Sequence, residues 1–317
     1  MVTYPAQHKT EYREEAHVPS IGITASIAAA FFWAVAIILF KKSGDTISPI
    51  ALNLYKCLVT LLLLIPTLMI FEIEMFPRQP GYTWFLFAVS GIMGITLADT
   101  FFFMALTRIG AGMTAVVDCL YLPSVLLLSF VFLDETLGLR GMFGAMLVIT
   151  AIVIASFRFK NSRPVALPGR GQLFTGILFG VLAIFLIAGS IVMIKDLLGK
   201  TDVLWASFVR TLFGTAGLFI GTSLAKNRKK LIVELLPSRA WLTALPASVI
   251  GNYLAMLAWL VGMKYALVSV AAILNQLSTI FIFLLSALFL KEPVTVPRII
   301  ATLLAVSGAL LVAGAAP

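Results

Sequence analysis

Four ionisable residues, Lys56, Asp99, Asp118 and Arg210, interrupt long apolar stretches of this chain. A charge at the centre of a bilayer-spanning helix costs about 2.5–3.5 kcal/mol on insertion scales, so each calls for a partner or a wet cavity. Lys56, Asp99 and Asp118 have the chemistry of a buried ion-pair cluster or, alternatively, of a proton or cation site. Arg210 offers a planar fork that binds two oxygens of a carboxylate or phosphate at once. Its long stem also allows the head group to snorkel to the interface. Asn275-Gln276 places two amides inside an apolar run, and a buried amide wants a partner, across helices or on a solute. Asn53, Tyr55, Tyr121, Asn252, Tyr253 and Trp259 complete the polar and aromatic set. From these, Arg210, Lys56, Asn275, Gln276, Tyr121 and Trp259 are the candidate solute-binding residues, and Asp118 and Asp99 the candidate ion-coupling residues.

The surroundings of these groups define the protein class. Of 317 residues, 61% are hydrophobic and only 12% charged, with a mean hydropathy of +1.05. A soluble domain carries about twice that charge. The chain therefore reads as an all-α integral membrane protein. The net charge of +9 does not point to nucleic acid, because the bases cluster in short loops, where positive-inside bias places them. Its expected partners are the lipid bilayer and a small-molecule substrate. Cys57 and Cys119 lie inside apolar runs and read as small buried residues. His8 and His17 fall in the polar N-terminal stretch, which removes the usual metal ligands from the membrane region. No cofactor is expected. Residues 1–20 are polar and weakly acidic, the wrong sign for the start of a signal peptide, so the first span is expected to be retained.

Ten apolar runs follow, each near the roughly 20 residues that cross a bilayer as a helix. They cover 21–40, 49–70, 83–104, 112–133, 141–157, 173–194, 203–223, 241–262, 267–289 and 296–314. The runs repeat. Gly94 to Phe157 falls without a gap on Gly251 to Gly314 at a shift of 157, matching Ala115 with Ala272, Ser129 with Ser286 and Leu147 with Leu304. Phe132-Leu133-Asp134-Glu135 meets Phe289-Leu290-Lys291-Glu292. At a shift of 154, Gly22 meets Gly176, Phe31 meets Phe185, Ala34 meets Ala188, Lys41 meets Lys195 and Lys56 meets Arg210.

The organisation is thus a polar tail (1–20), a first five-helix repeat (21–157), a basic linker (158–172) and a second repeat (173–314). An odd number of helices per half inverts the second half, and inverted repeats mark transporters, with the site near the midplane between halves. Lys56 and Arg210 each lie roughly 10–12 Å into their helices, and the inversion directs them to opposite faces of the membrane. The repeat positions matching Asp99 and Asp118 are Met256 and Asn275, so Arg210 has no acid in its own repeat. Gly176/Gly180 and Gly217/Gly221 are spaced for close helix approach, and Gly91/Gly94 and Gly141/Gly144 nearly so. Trp84 and Trp241, at run ends, read as interfacial anchors. Glu135 and Glu292 read as capping or pairing residues at their corners.

Ten helices in two five-helix repeats, each with a Phe-Leu-x-Glu corner between its fourth and fifth helices, resemble the EamA-like branch of the drug/metabolite transporter superfamily. The resemblance covers 21–314. It implies a multi-pass protein of the cell membrane that carries amino acids, amines or other metabolites, with both termini in the cytoplasm. Loop charge implies the reverse orientation: fourteen Lys and Arg lie on one side and seven on the other, placing the termini outside. The family often has a proline in the fourth helix of each repeat, whereas this chain has Pro123 but Ile280, so the halves are not expected to bend alike.

The expected function is a secondary transporter working by alternating access, with a carboxylate-bearing solute such as an amino acid engaged by Arg210. The sequence holds no GxxxxGK[ST] phosphate loop, so ATP is not expected to drive it. A membrane-embedded enzyme would need paired carboxylates or a His-containing metal set, and neither is present. A non-transporting sensor or partner subunit is the remaining alternative.

Overall fold

Apolar runs bounded by helix-starting residues become helices here. Pro49 opens one directly after an extended Ser48, where its fixed φ and missing N–H cost nothing. Asp202 opens another by accepting the amides of Leu204 and Trp205 at 2.8 and 3.1 Å. The computed structural model describes residues 7–133, 138–156, 169–225, 228–236, 238–265, 274–275 and 277–313, and no strand occurs among them.

The helices are α1 (Gln7–Ser43), α2 (Pro49–Ile70), α3 (Gly81–Gly91), α4 (Asp99–Asp118), α5 (Tyr121–Leu133), α6 (Leu139–Ser156) and α7 (Arg170–Val192). They continue with α8 (Lys195–Leu198), α9 (Val203–Leu224), α10 (Arg228–Glu234), α11 (Trp241–Ala247), α12 (Ala255–Tyr265), α13 (Leu277–Phe289) and α14 (Val296–Ala313). A π-helical turn, Ile92–Ala98, joins α3 to α4, and a second, Ser248–Leu254, joins α11 to α12. Part of the polar tail, from Gln7, continues α1.

Among the described residues, six helical stretches are long and apolar enough to cross a membrane, and four shorter apolar helices accompany them. Part of the difference from ten separate runs lies in the third and fourth. The third run and the start of the fourth form one stretch, Gly81–Asp118, broken at Gly110, whose φ of 80° and ψ of 171° are open to glycine alone. The fourth run breaks again at the turn Cys119-Leu120 before α5 begins. Pro123 falls in the first turn of α5, where a missing N–H is tolerated. Most of the equivalent stretch before Ile280, with Ala272 and Gln276, lies outside the described residues. So do Glu135 and most of the linker.

The packing repeats with the sequence. α4 lies along α7 and α1 along α12, and α5 meets α7 as α13 meets α1. Each of these is a repeat-equivalent pair of contacts. α2 packs on its own equivalent α9, and α6 on its equivalent α14, which places the pseudo-two-fold axis between them. Glycines set the spacing. A Cβ on Gly180 would come within 2.9 Å of Val117, and one on Gly217 within 2.5 Å of Thr96, whereas Gly221 faces open space. Without water to drive helix association, such close van der Waals contact is the main cohesive term. Leu62, Met69 and Ile70 point outward, 66–77% exposed, as side chains facing lipid do.

Trp84 and Trp241 are half-buried, each against another aromatic ring. Trp84 lies edge-on to Trp205 at 5.4 Å, and Trp241 edge-on to Tyr55 at 5.0 Å. Cys57 and Cys119 are both free and buried.

Candidate functional site

The first π turn organises the polar centre. It ends where Asp99 begins α4, and its Ile95 carbonyl accepts a hydrogen bond from Asn53 Nδ2 at 2.8 Å. The same amide nitrogen donates to Thr100 Oγ1 at 3.0 Å. π turns of this kind recur at functional sites because they redirect side chains and backbone groups. One helical turn on from Asn53, Lys56 Nζ donates to Asp99 Oδ2 at 2.5 Å. Lys56 is 4% exposed and Asp99 23%. The ammonium also lies 5.4 Å from the centroid of the Phe103 ring, a cation–π contact.

Arg210 reaches the same segment from α9. The two helices touch so closely that a Cβ on Gly91 would enter the Arg210 carbonyl group. A Cβ on Gly94 would stand 2.5 Å from Ser190 Oγ and 3.0 Å from Arg210 Nη2. Nη2 donates to Ser190 Oγ at 3.2 Å. Nε is buried with no hydrogen-bond partner among the described residues, an arrangement that is costly in an apolar interior. Tyr121 lies within electrostatic reach of both Arg210 and Asp118, and Arg210 within reach of Asp99. Arg210 thus turns inward, to Ser190, and does not snorkel.

Lys56, Asp99 and Arg210 therefore meet around the first π turn, between α2, α4, α7 and α9, with Tyr121 at the start of α5 and Asp118 at the end of α4 within electrostatic reach. Lys56 engages this segment at its Asp99 end and Arg210 at its Gly94 end. Arg210 still lacks an acid in its own repeat, but the first repeat supplies one.

Other candidates stand apart. Trp259 lies on α12, 39% exposed, and the structure does not bring it into the cluster. Asn275 is half-buried before α13, and Gln276 lies outside the described residues. Ser190 and Thr100 were not foreseen. Ser190 carried a signal all the same, since its repeat equivalent is Ala36 and only the polar member has an arginine to hold. Across the fold, Gly251 packs on Ala36 as Gly94 packs on Ser190. Among the described residues no group of His, Cys, Asp or Glu is arranged to hold a metal ion.

Comparison with known proteins bears on the whole chain. No curated protein matches. A solved structure titled "Crystal structure of protein" superposes with a TM-score of 0.61 at 18% identity, over 92% of this chain and 96% of that one. That likeness speaks to the fold alone. The model of the EamA-like transporter family matches residues 20–157 and again 174–314. The two matched segments carry the two halves whose helices pack in equivalent pairs, and the chain is a multi-pass membrane protein that belongs to the EamA-like transporter family.

Proposed function

We propose that this protein is a secondary transporter of the cell membrane that moves a small carboxylate-bearing solute, such as an amino acid, by alternating access between two inverted five-helix repeats. The observation that carries this reading is Arg210: a half-buried guanidinium with one hydroxyl partner and a buried Nε that has none among the described residues, at the junction of the two halves. A solute carboxylate supplies the missing acceptors, and the fork geometry favours two oxygens over one. Lys56 is neutralised by Asp99, so it sets the local potential and leaves Arg210 as the receptor. Tyr121 stands beside the place a carboxylate would take. Asp118 and Asp99 are the acids available to couple solute movement to protons or cations, and Asn275, Gln276 and Trp259 remain the second repeat's candidates for solute contact.

The test is a thermal-stability screen of the purified protein in detergent with amino acids, organic acids, sugar phosphates and amines, on wild type and Arg210→Ala. A solute that binds only the folded form raises stability by RT ln(1 + [L]/Kd). An anionic or zwitterionic hit that disappears in Arg210→Ala, and whose uptake into proteoliposomes also disappears, supports the assignment. A hit that survives the substitution moves the site elsewhere. Silence across the panel favours a sensor or partner subunit.

A further inference from the structure

The pseudo-two-fold is broken where the ion pair sits. Lys56 and Arg210 occupy equivalent positions in the two repeats, but Asp99 has no acidic equivalent because Met256 stands in its place. Lys56 therefore has a carboxylate at hydrogen-bond distance, and its equivalent Arg210 has Ser190 instead. The packing shows the same asymmetry. α2 lies on the second π turn and α9 on the first, so this pair of equivalent contacts is present on both sides. α2 also packs on α4, through Lys56–Asp99 and Asn53–Thr100, whereas among the described residues the equivalent α9 makes no comparable packing on α12.

A contact made in one repeat and missing from its equivalent is one that exchanges when two inverted repeats trade conformations, as alternating access requires. In the reciprocal arrangement α9 closes on α12 and α2 leaves α4, carrying Lys56 away from Asp99. The α9 contact with the first π turn belongs to the pair present on both sides, so Arg210 stays beside Gly94. A carboxylate left in the membrane interior demands a cation, and Arg210 is then the one at hand.

We propose that Asp99 changes cations during the transport cycle: Lys56 holds it in the arrangement described here, and in the reciprocal arrangement it takes Arg210, displacing whatever anion Arg210 had bound. Asp99 is thus the residue that releases the solute, and Lys56 is the one that keeps Arg210 available to load it. This rests on the transport reading above and deepens it, because it makes loading and release properties of different arrangements.

The experiment reads arrangement without needing the solute. Spin labels are placed in two repeat-equivalent pairs, Ile50 with Arg108 and Leu204 with Tyr265, in full-length protein carrying Cys57→Ala and Cys119→Ala, and distances are measured in lipid nanodiscs. The expected wild-type result is a short Ile50–Arg108 and a long Leu204–Tyr265 distance. Lys56→Met is expected to lengthen the first and shorten the second, shifting the population ratio by about tenfold, since breaking a buried pair strands its partner. Lys56→Arg keeps the wild-type distances, and Arg210→Met depletes the reciprocal arrangement. In an Asp99→Asn background neither Lys56→Met nor Arg210→Met shifts the distances. Unchanged distances in Lys56→Met, or shifts that persist in Asp99→Asn, would overturn the exchange. Should Lys56→Met fail to fold, Arg210→Met decides by itself through loss of the reciprocal population. Distance shifts as expected, with no solute carried in any flux assay, would leave the exchange standing and remove the transport reading.

Discussion

Glu292, in the corner of the second repeat, caps a helix of the first: its Oε1 accepts the backbone N–H of Ala111 at 2.7 Å. Its Oε2 accepts the N–H of Gly112 at 3.1 Å, and Arg298 pairs with the same carboxylate at 3.7 Å. The amides it satisfies are those exposed where the chain restarts as a helix after Gly110, and a carboxylate is favoured at such an N-terminus on electrostatic grounds as well. The Phe-Leu-x-Glu corner is therefore a clasp between the repeats, placed where the third run turns into the fourth.

Removing that clasp is expected to loosen the protein without touching the polar centre. Glu292→Ala forfeits two charge-assisted bonds and is expected to cost about 2 kcal/mol, read as a fall of several degrees in the thermal midpoint in detergent. Glu292→Gln keeps an acceptor but not the charge, and its midpoint should lie between the two. An unaltered midpoint in Glu292→Ala would mean that water caps the helix equally well.

Gly110→Ala is expected to be at least as damaging, for two separable reasons. Its backbone conformation costs about 1–3 kcal/mol for a residue with a side chain, and the new Cβ would lie 2.5 Å from Glu292 Oε1. The double variant with Glu292→Ala removes the collision and leaves the strain. The two losses should therefore sum to more than the double variant shows, a coupling that a double-mutant cycle on thermal midpoints measures.

Gly94→Ala probes the site with the smallest possible intrusion. The added methyl would stand 2.5 Å from Ser190 Oγ and 3.0 Å from Arg210 Nη2, so the guanidinium must swing off Ser190. Solute-induced stabilisation and uptake are expected to fall by roughly tenfold or more, the loss that follows when a positioning contact is displaced. Elution of the variant from gel filtration should match wild type. Retained binding would show that Arg210 is not the receptor.

Much of this was readable in the residues, and the failures share a physical cause. Composition, run length and the two repeat shifts led to a helical membrane protein with a duplicated plan, because bilayer thickness and hydrogen-bond satisfaction leave few alternatives. Capping by Glu292 was readable as a type of role, but not which helix it caps, since that depends on how two repeats meet. That Lys56 and Arg210 both reach the first π turn was hidden for the same reason. Gly91 and Gly94 admit α9 at a distance no single-helix argument supplies, and the π turn re-aims Asp99 without a mark in the periodicity.

Asp118 is the acid the ion pair leaves unused. It ends α4 at the Cys119-Leu120 turn, half-buried, with Tyr121 in electrostatic reach and no ion-pair partner among the described residues. Asp99 is committed to Lys56, whereas Asp118 is held in no such pair among the described residues. If a proton gradient drives transport, Asp118 is the carrier. Asp118→Asn is then expected to keep solute exchange across vesicles at equal pH while losing acceleration by an imposed pH gradient. Asp99→Asn should differ, altering exchange itself because it removes the counter-ion of Lys56. Measuring both variants with and without a gradient separates the roles, and gradient dependence that survives Asp118→Asn would remove the residue from the coupling path.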